Sequence, residues 1–354
     1  MAGLAPAIHV FLFYGSEKKN VDARDKHGHD EKGERAASHN RGHTMTRPLS
    51  VRIAFAAFAV ALAPYLAKYL PGEPAIVASN MPGGGGMQAM QYLYNVAAKD
   101  GTAIGTTNAG PVAEPLIGTT KVNYDMQRFR WIGSLAKGDT VCAVWGESPI
   151  KSLEDARTRE VTISATGATS APTRSALLMN ALLGTRFRPI AGYNGGTSLL
   201  AIERGEVDGT CVTLGSLRTT RPQWLRDRKI RLLVQVSLTA DPDYPDVPRA
   251  ADLITSDDER AMLEFFLIPY EFQNPFMLPP GAPDAALAAW RAAFDKAVAD
   301  PAYRADAMKR RQNVQPRTGP DVQSLVAAMF ATPKAIIQRT IAATDPNGRV
   351  SGTK

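Results

Sequence analysis

From residue 75 onward the sequence switches repeatedly between two hydrophobic periods, and this alternation constrains the fold more than any other feature. Short β-type runs at 75–78, 102–105, 140–145, 161–164, 209–212 and 230–234 are separated by helix-type stretches at 88–97, 173–183, 197–204, 283–299 and 321–343. Strand, helix, strand in sequence predicts an α/β fold of mainly parallel sheets flanked by helices. Within the stretch opening at Asp284, Leu287, Trp290, Phe294 and Val298 fall on one face, the spacing of a core-facing helix. A chain of 354 residues, 44% of them hydrophobic, is long enough for two cores. The long apolar strand candidates near 141–145 and 272–278 are expected to cross between two lobes. One lobe is then built from 64–141 and 274–345, the other from 142–273.

The residues that chemistry most often needs are scarce in this body. All five histidines (His9, His27, His29, His39 and His43) precede residue 44, so a body starting later has none for a catalytic triad, a Cys-His pair or a His-ligated metal. Two cysteines, Cys142 and Cys211, exclude a disulfide scaffold and any Cys-rich zinc or iron–sulfur module; whether the two pair is left open by the sequence. No Gly-x-Ser-x-Gly elbow is present, and no Ser-x-x-Lys dyad falls in a plausible loop. The expectation is a protein without catalytic residues, metal or cofactor. Net charge is +7, of which residues 1–52 supply +3 through nine basic and six acidic side chains. The densest basic run, Lys309-Arg310-Arg311, ends a helical stretch, where cations suit the helix dipole, so no nucleic-acid partner is expected.

The front of the chain reads differently. Residues 1–44 start apolar and become a mixed-charge stretch with no face to bury, and read as a disordered or non-native leader. Residues 45–63 combine a basic lead, an apolar run from Ile53 and an Ala-Leu-Ala ending, the pattern of an export signal starting near Met45. A buried core helix is the competing reading, and Pro64 sits awkwardly just after the expected cut.

Three loops carry the functional argument. Gly83-Gly84-Gly85-Gly86 matches a dinucleotide turn only loosely, because the ribose-binding acid expected about 20 residues on is missing. A flexible strand-to-helix turn is preferred there. Thr166-Gly167-Ala168-Thr169-Ser170 and Tyr193-Asn194-Gly195-Gly196 each place small residues, hydroxyls and backbone N–H groups at a helix N-terminus. Such ends attract carboxylates without an arginine. In a parallel lobe both loops fall at the strand C-terminal edge, where ligands sit. Ordinary capping explains either loop alone.

Several short motifs, in order, complete the pattern: Asn80-Met81-Pro82-Gly83-Gly84-Gly85-Gly86, Lys99-Asp100-Gly101-Thr102, Tyr193-Asn194-Gly195-Gly196, Gly205-Glu206-Val207-Asp208, Tyr244-Pro245-Asp246-Val247-Pro248, Leu278-Pro279-Pro280-Gly281-Ala282-Pro283 and Ala299-Asp300-Pro301. Together they resemble the extracytoplasmic solute receptors of tripartite tricarboxylate transporters, the Bug-type receptors, from about Pro64 to Ala343. The resemblance implies a two-lobed, Venus-flytrap periplasmic binding protein, monomeric, that closes on a small organic carboxylate and serves the membrane permease subunits of such a transporter. Carried onto this sequence, the ligand candidates are Asn108, Ala109, Thr166 to Ser170, Tyr193 to Gly196, and Thr213. The family opens its mature chain with a strand, a Gly/Pro ligand loop and a first helix. Here Pro64-Tyr65-Leu66-Ala67-Lys68-Tyr69-Leu70 looks like only the end of that helix. The first lobe is therefore expected to lack its opening strand and one ligand loop, and to bind weakly. The alternatives are a dinucleotide-dependent enzyme using Gly83–Gly86, or a non-functional remnant of the receptor.

Overall fold

Two mixed sheets divide the chain. The computed structural model describes residues 8–12, 54–81, 86–118, 120–310, 312 and 314–346. The first sheet contains β1 (Ile8–Leu12), β2 (Ile76–Asn80), β3 (Ala103–Thr106), β4 (Arg130–Ala136), β10 (Gln273–Leu278) and β11 (Arg317–Thr318), in the order β11-β4-β10-β3-β1-β2. The second contains β5 (Thr140–Trp145), β6 (Val161–Ser164), β7 (Phe187–Ile190), β8 (Gly209–Thr213) and β9 (Ile230–Val236), in the order β7-β6-β8-β5-β9. Helices α1 (Ala54–Tyr69), α2 (Met87–Asn95), α3 (Ala109–Ile117), α11 (Asp284–Ala299), α12 (Pro301–Lys309) and α13 (Gly319–Ala331) belong to the first lobe. Helices α4 (Leu153–Thr158), α5 (Ala171–Leu183), α6 (Gly195–Glu203), α7 (Leu214–Thr220), α8 (Pro222–Arg226) and α9 (Ala250–Leu253) belong to the second.

The parallel pairs are β1 with β2 and β3, and β6 with β7 and β8. The successive parallel strands β2 and β3, β6 and β7, and β7 and β8 are joined by the crossover helices α2, α5 and α6 in turn, as parallel connections require; of these only β6 and β7 are direct neighbours. Both sheets are therefore mixed rather than mainly parallel, with two parallel pairings of five in the first and two of four in the second. Strands β10, β4 and β11, and β5 with β8 and β9, pair antiparallel. The lobe crossing also differs from expectation. Neither 141–145 nor 272–278 crosses: β5 lies wholly in the second sheet and β10 in the first. The chain passes over at 137–139 and returns through α10 (Asp257–Leu267) and the 3-10 turn Ile268–Phe272. Helix α14 (Lys334–Ala343) spans the junction, with Ile336 in the second lobe's core and Ile337 in the first's.

The predicted face of α11 is buried as the spacing requires: Leu287, Trp290, Phe294 and Val298 all enter the first core. The Trp290 indole N–H donates to the Gly101 carbonyl at 2.9 Å. Gly101 adopts φ +94°, and a Cβ there would stand 2.5 Å from that of Ala286. Asp100 closes the turn by accepting from the Thr102 N–H and hydroxyl. The Lys99–Thr102 motif is thus a backbone requirement set by helix packing. In the second lobe Asp208 accepts from the Thr162 N–H and hydroxyl, at 2.8 and 2.6 Å, and fixes the start of β8 against β6. Cys142 and Cys211 stand directly opposite one another in β5 and β8, are fully buried, and form a disulfide. At the far end of the first lobe, Lys309 lies in the last turn of α12 and Arg310 pairs with Asp306, so this basic run is a helix end.

The front of the chain corrects the sequence reading at one place. Residues 8–12, assigned to a leader, form β1 and occupy the slot between β2 and β3. A five-residue apolar run is too short for periodicity to separate strand from unstructured leader. The opening strand missing before α1 is thus replaced from further upstream. The segment linking β1 to α1, where the first ligand loop would fall, lies outside the described residues. Residues 54–63, expected to belong to an export signal, build the first part of α1, the competing core-helix reading. Ala59, Leu62, Leu66 and Leu70 are buried beside α11 in one core. The helix continues through Pro64 to Tyr69, and the rest of 45–63 lies outside the described residues.

Candidate functional site

The site grows from a rule of chain direction. Where a parallel strand ends and a helix begins, the helix N-terminus points its unpaired N–H groups over the sheet edge. Four such junctions are β3 into α3, β6 into α5, β7 into α6 and β8 into α7, and they contain every sequence-predicted site residue.

The four ends are not equivalent. Asn194 caps α6 by accepting from the Gly196 and Thr197 N–H groups at 3.1 and 3.0 Å, while the Thr197 hydroxyl accepts from the Asn194 N–H at 2.8 Å. This capping box uses up donors that the sequence reading left free for a ligand, so at 193–196 ordinary capping dominates. Thr213 caps α7 through the Ser216 N–H at 3.3 Å, and Asn108 caps α3 through the Gly110 N–H at 3.1 Å. The α5 end is different. No side chain caps it, because the Ser170 hydroxyl pairs with the Thr173 hydroxyl at 3.2 Å, and Thr173 in turn donates to the Gly167 carbonyl at 2.7 Å. The loop thus braces itself from within and leaves the N-terminus of a 13-residue helix open.

The second lobe brings its predicted residues to one edge. The Tyr193 N–H donates to the Ala165 carbonyl at 3.1 Å, and the Ala165 N–H donates to the Ile190 carbonyl at 2.9 Å, which ties the 193–196 loop to the 166–170 loop. The Tyr193 ring packs on the core beneath while Asn194, Thr166, Ala168 and Thr169 are exposed. Gly195 is the first residue of α6 and Ala109 the first of α3. Beside the loops lies a mostly apolar cavity of about 290 Å³, lined by Ala165, Pro172, Leu199, Val212 and Leu217 together with Ser164, Thr166, Ser198, Thr210, Ser216 and Thr220. Of these, the Ser164 and Ser198 hydroxyls share a 2.7 Å hydrogen bond. Asn108 and Ala109 stand on the other lobe. Gly110 of α3 and Arg174 of α5 line one further cavity, so the first turns of these helices approach each other across the lobes.

Sequence reasoning missed Thr107. It is 3% exposed and its hydroxyl has no hydrogen-bond partner, beside Asn108 at the end of β3. A buried hydroxyl without a partner is costly, and a ligand or water atom would satisfy it. The available signal was a run of two threonines at a predicted strand's C-terminal end. The Gly-rich turn contributes only Gly86 to the description, as the left-handed N-cap of α2 with φ 105°; Gly83 to Gly85 lie outside the described residues. Among the described residues no cluster of His, Cys, Asp or Glu could hold a metal ion.

An α/β protein with two mixed sheets, a hinge of two connections and helix N-termini facing a shared crevice is a solute-binding protein by fold. The family model of the tripartite tricarboxylate transporter family receptor, TctC, matches residues 59–341, and the chain belongs to that family. A TctC solute-binding protein from Polaromonas, solved without ligand, superimposes with a TM-score of 0.63 at 17% identity over 79% of this chain and 92% of that one. The MatC protein of Rhodopseudomonas palustris with bound malate gives 0.55 at 21% identity, over 79% and 93% of the two chains. A second R. palustris protein, solved with adipate, gives 0.56 at 18% identity, over 82% and 92%. At these identities the likenesses define the fold. No curated protein sequence matches the chain.

Proposed function

We propose that this receptor captures a small di- or tricarboxylate in the crevice between its lobes, without turnover, and presents it as a monomer to the membrane permease subunits of a tripartite tricarboxylate transporter. The observation that carries the reading is the open N-terminus of α5, set at the C-terminal end of β6 and facing α3 of the other lobe. It offers a carboxylate about half a positive charge and unpaired N–H groups. Thr107, Asn108, Thr166 to Ser170 and Thr213 surround it, and Tyr193 to Gly196 shape its rim. The ligands bound in the two R. palustris structures, malate and adipate, favour the same class.

The location that goes with this function is the periplasm. Family membership and the Cys142–Cys211 disulfide both favour an oxidising compartment. Residues 45–63 serve as the export signal, and Pro64 after the expected cut leaves that signal attached, so that Ala59 and Leu62 stay in the core. Among the described residues no helix is long and apolar enough to cross a membrane. The mass of the chain recovered from the periplasm tests this; a chain beginning at Pro64 would contradict it.

The first ligand loop is expected to be missing from the crevice, and binding to be weak. Calorimetry of the full chain against malate, adipate and citrate is expected to give a saturable signal with Kd above about 10 μM for at least one acid, or about −7 kcal/mol at most. Absence of binding to every acid would overturn the carboxylate reading. A Kd of about 1 μM or tighter would overturn the weakening. NADH fluorescence is expected to be unchanged by the protein.

A further inference from the structure

The two connections between the lobes carry charge where apolar packing would serve. Lys137 and Asp139 stand on the outgoing connection, and Glu271 on the returning 3-10 turn. Their side chains are 13%, 18% and 5% exposed, so all three charges are held largely away from water. The two backbones are tied at the same level, where the Gly138 N–H donates to the Tyr270 carbonyl at 2.8 Å.

These charges are joined end to end. In the first lobe, Arg317 of β11 pairs with the Glu271 carboxylate and donates through Nε to the Glu271 carbonyl at 2.6 Å. The same carboxylate lies 3.7 Å from Lys137 Nζ on the other connection. Lys137 Nζ lies 2.9 Å from Asp139 and donates to the hydroxyl of Thr239, which follows β9 in the second lobe. The relay thus runs from the edge of the first sheet, across both connections, into the second lobe. It holds two cations and two carboxylates, and is neutral as a unit. Its far end reaches the binding edge: the Asp139 carbonyl accepts from the Leu214 N–H at 2.7 Å and fixes the start of α7 directly after Thr213.

A purely stabilising role explains this arrangement poorly. Withdrawing charges from water is costly, and well-packed apolar side chains of similar volume often stabilise as much or more. A chain of ion pairs adds direction instead. The apolar contacts at the junction, through Ile336 and Ile337 of α14, are non-directional and tolerate sliding. Ion pairs linking four separate segments hold one relative position. The weakest link is at Asp139: its Oδ1 is buried and makes no hydrogen bond, although Lys137 Nζ is in ion-pair contact with it.

We propose that the Arg317–Glu271–Lys137–Asp139 relay is a latch that sets the arrangement of the two lobes in the ligand-free protein. With the latch cut, the connections absorb a wider range of backbone angles and the lobes occupy a wider set of positions. The inference does not rest on the carboxylate reading.

The test measures distances between spin labels on the ligand-free full chain. Labels are placed at Lys296→Cys in α11 and Lys229→Cys just before β9, both exposed positions, while the native cysteines stay in their disulfide. The otherwise wild-type chain is expected to give one narrow distribution. Lys137→Met with Asp139→Asn removes a cation and a carboxylate together and leaves Glu271 paired with Arg317. It is expected to broaden or shift the distribution with little change in Tm. The same kind of removal at the exposed Arg188–Glu160 pair, Arg188→Gln with Glu160→Gln, is expected to leave the distribution narrow. If the Lys137 variant fails to fold, Thr239→Val, at an exposed position, cuts the link to the second lobe alone and is expected to broaden the distribution. A broad distribution in the otherwise wild-type chain would overturn the proposal. So would equal broadening at the Arg188–Glu160 pair, or unchanged distances in the folded relay variant, whether or not its Tm falls.

Discussion

The disulfide in the second lobe gives the most quantitative prediction. Cys142 and Cys211 are 69 residues apart in sequence, are directly opposed in β5 and β8, and are 0% and 1% exposed. In the chain-entropy account, closing a loop of this length removes about 4 kcal/mol of denatured-state freedom. For a lobe of this size each kcal/mol moves Tm by about 2–4 °C, so the loss predicts a fall of about 8–16 °C. The right perturbation is Cys142→Ala with Cys211→Ala, because serine would bury two hydroxyls and add a penalty of its own. Tm measured by circular dichroism, with thiols titrated in denaturant, is the assay. No free thiol in wild type and a drop of this size are expected. Two titratable thiols in periplasmic wild-type protein, or a drop below about 3 °C, would refute the reasoning.

Three further outcomes are expected. Leu62→Ala should cost about 2–5 kcal/mol in denaturant unfolding if α1 is a core helix, whereas Val60→Ala, on the exposed face, should be nearly neutral. Asp300 joins α1 to α12 by accepting from Lys68 Nζ and the Tyr69 hydroxyl at 2.9 Å each, and from the Ala302 N–H at 2.8 Å. The Lys68 hydrogen bond, then the backbone bond, hold its carboxyl below the ordinary carboxylate value. Its stabilisation is thus present above about pH 4 and lost as pH falls through the lowered value, so Asp300→Asn should flatten part of the acid limb of the stability profile. Ser170→Glu should place a carboxylate at the open α5 end, abolish malate binding in calorimetry, and raise stability by about 0.3–1 kcal/mol in urea unfolding.

Much of this molecule was legible from residue spacing. The α11 face, the loops before α5 and α6, and the strands β2, β3, β5, β6, β8 and β9 follow from period and turn chemistry, whereas β4, β7, α3 and the break at Pro333 between α13 and α14 do not. What was not legible depended on tertiary context. The five residues of β1 carry no periodic signature, and only the vacant slot between β2 and β3 gives them a place. Residues 53–63 satisfy both an export signal and a core helix, since each asks only for small apolar side chains; packing against α11 gives 59–70 a core role that the sequence alone does not single out. The pairing of Cys142 with Cys211 follows from β5 and β8 register, which sequence does not contain. In the site, Asn194 and Ser170 look alike in sequence, yet one spends its helix's donors on a capping box and the other leaves them free. Thr107 was missed because its importance lies in an unmet hydrogen bond, not in its residue type.

The measurement that tests the account most directly is a crystal structure of the full chain grown with saturating malate. One malate carboxylate is predicted within hydrogen-bonding distance of the first-turn N–H groups of α5, with the Thr107 hydroxyl partnered by ligand or bridging water. Malate bound elsewhere, with the α5 end still facing bulk solvent and Thr107 unchanged, would contradict it.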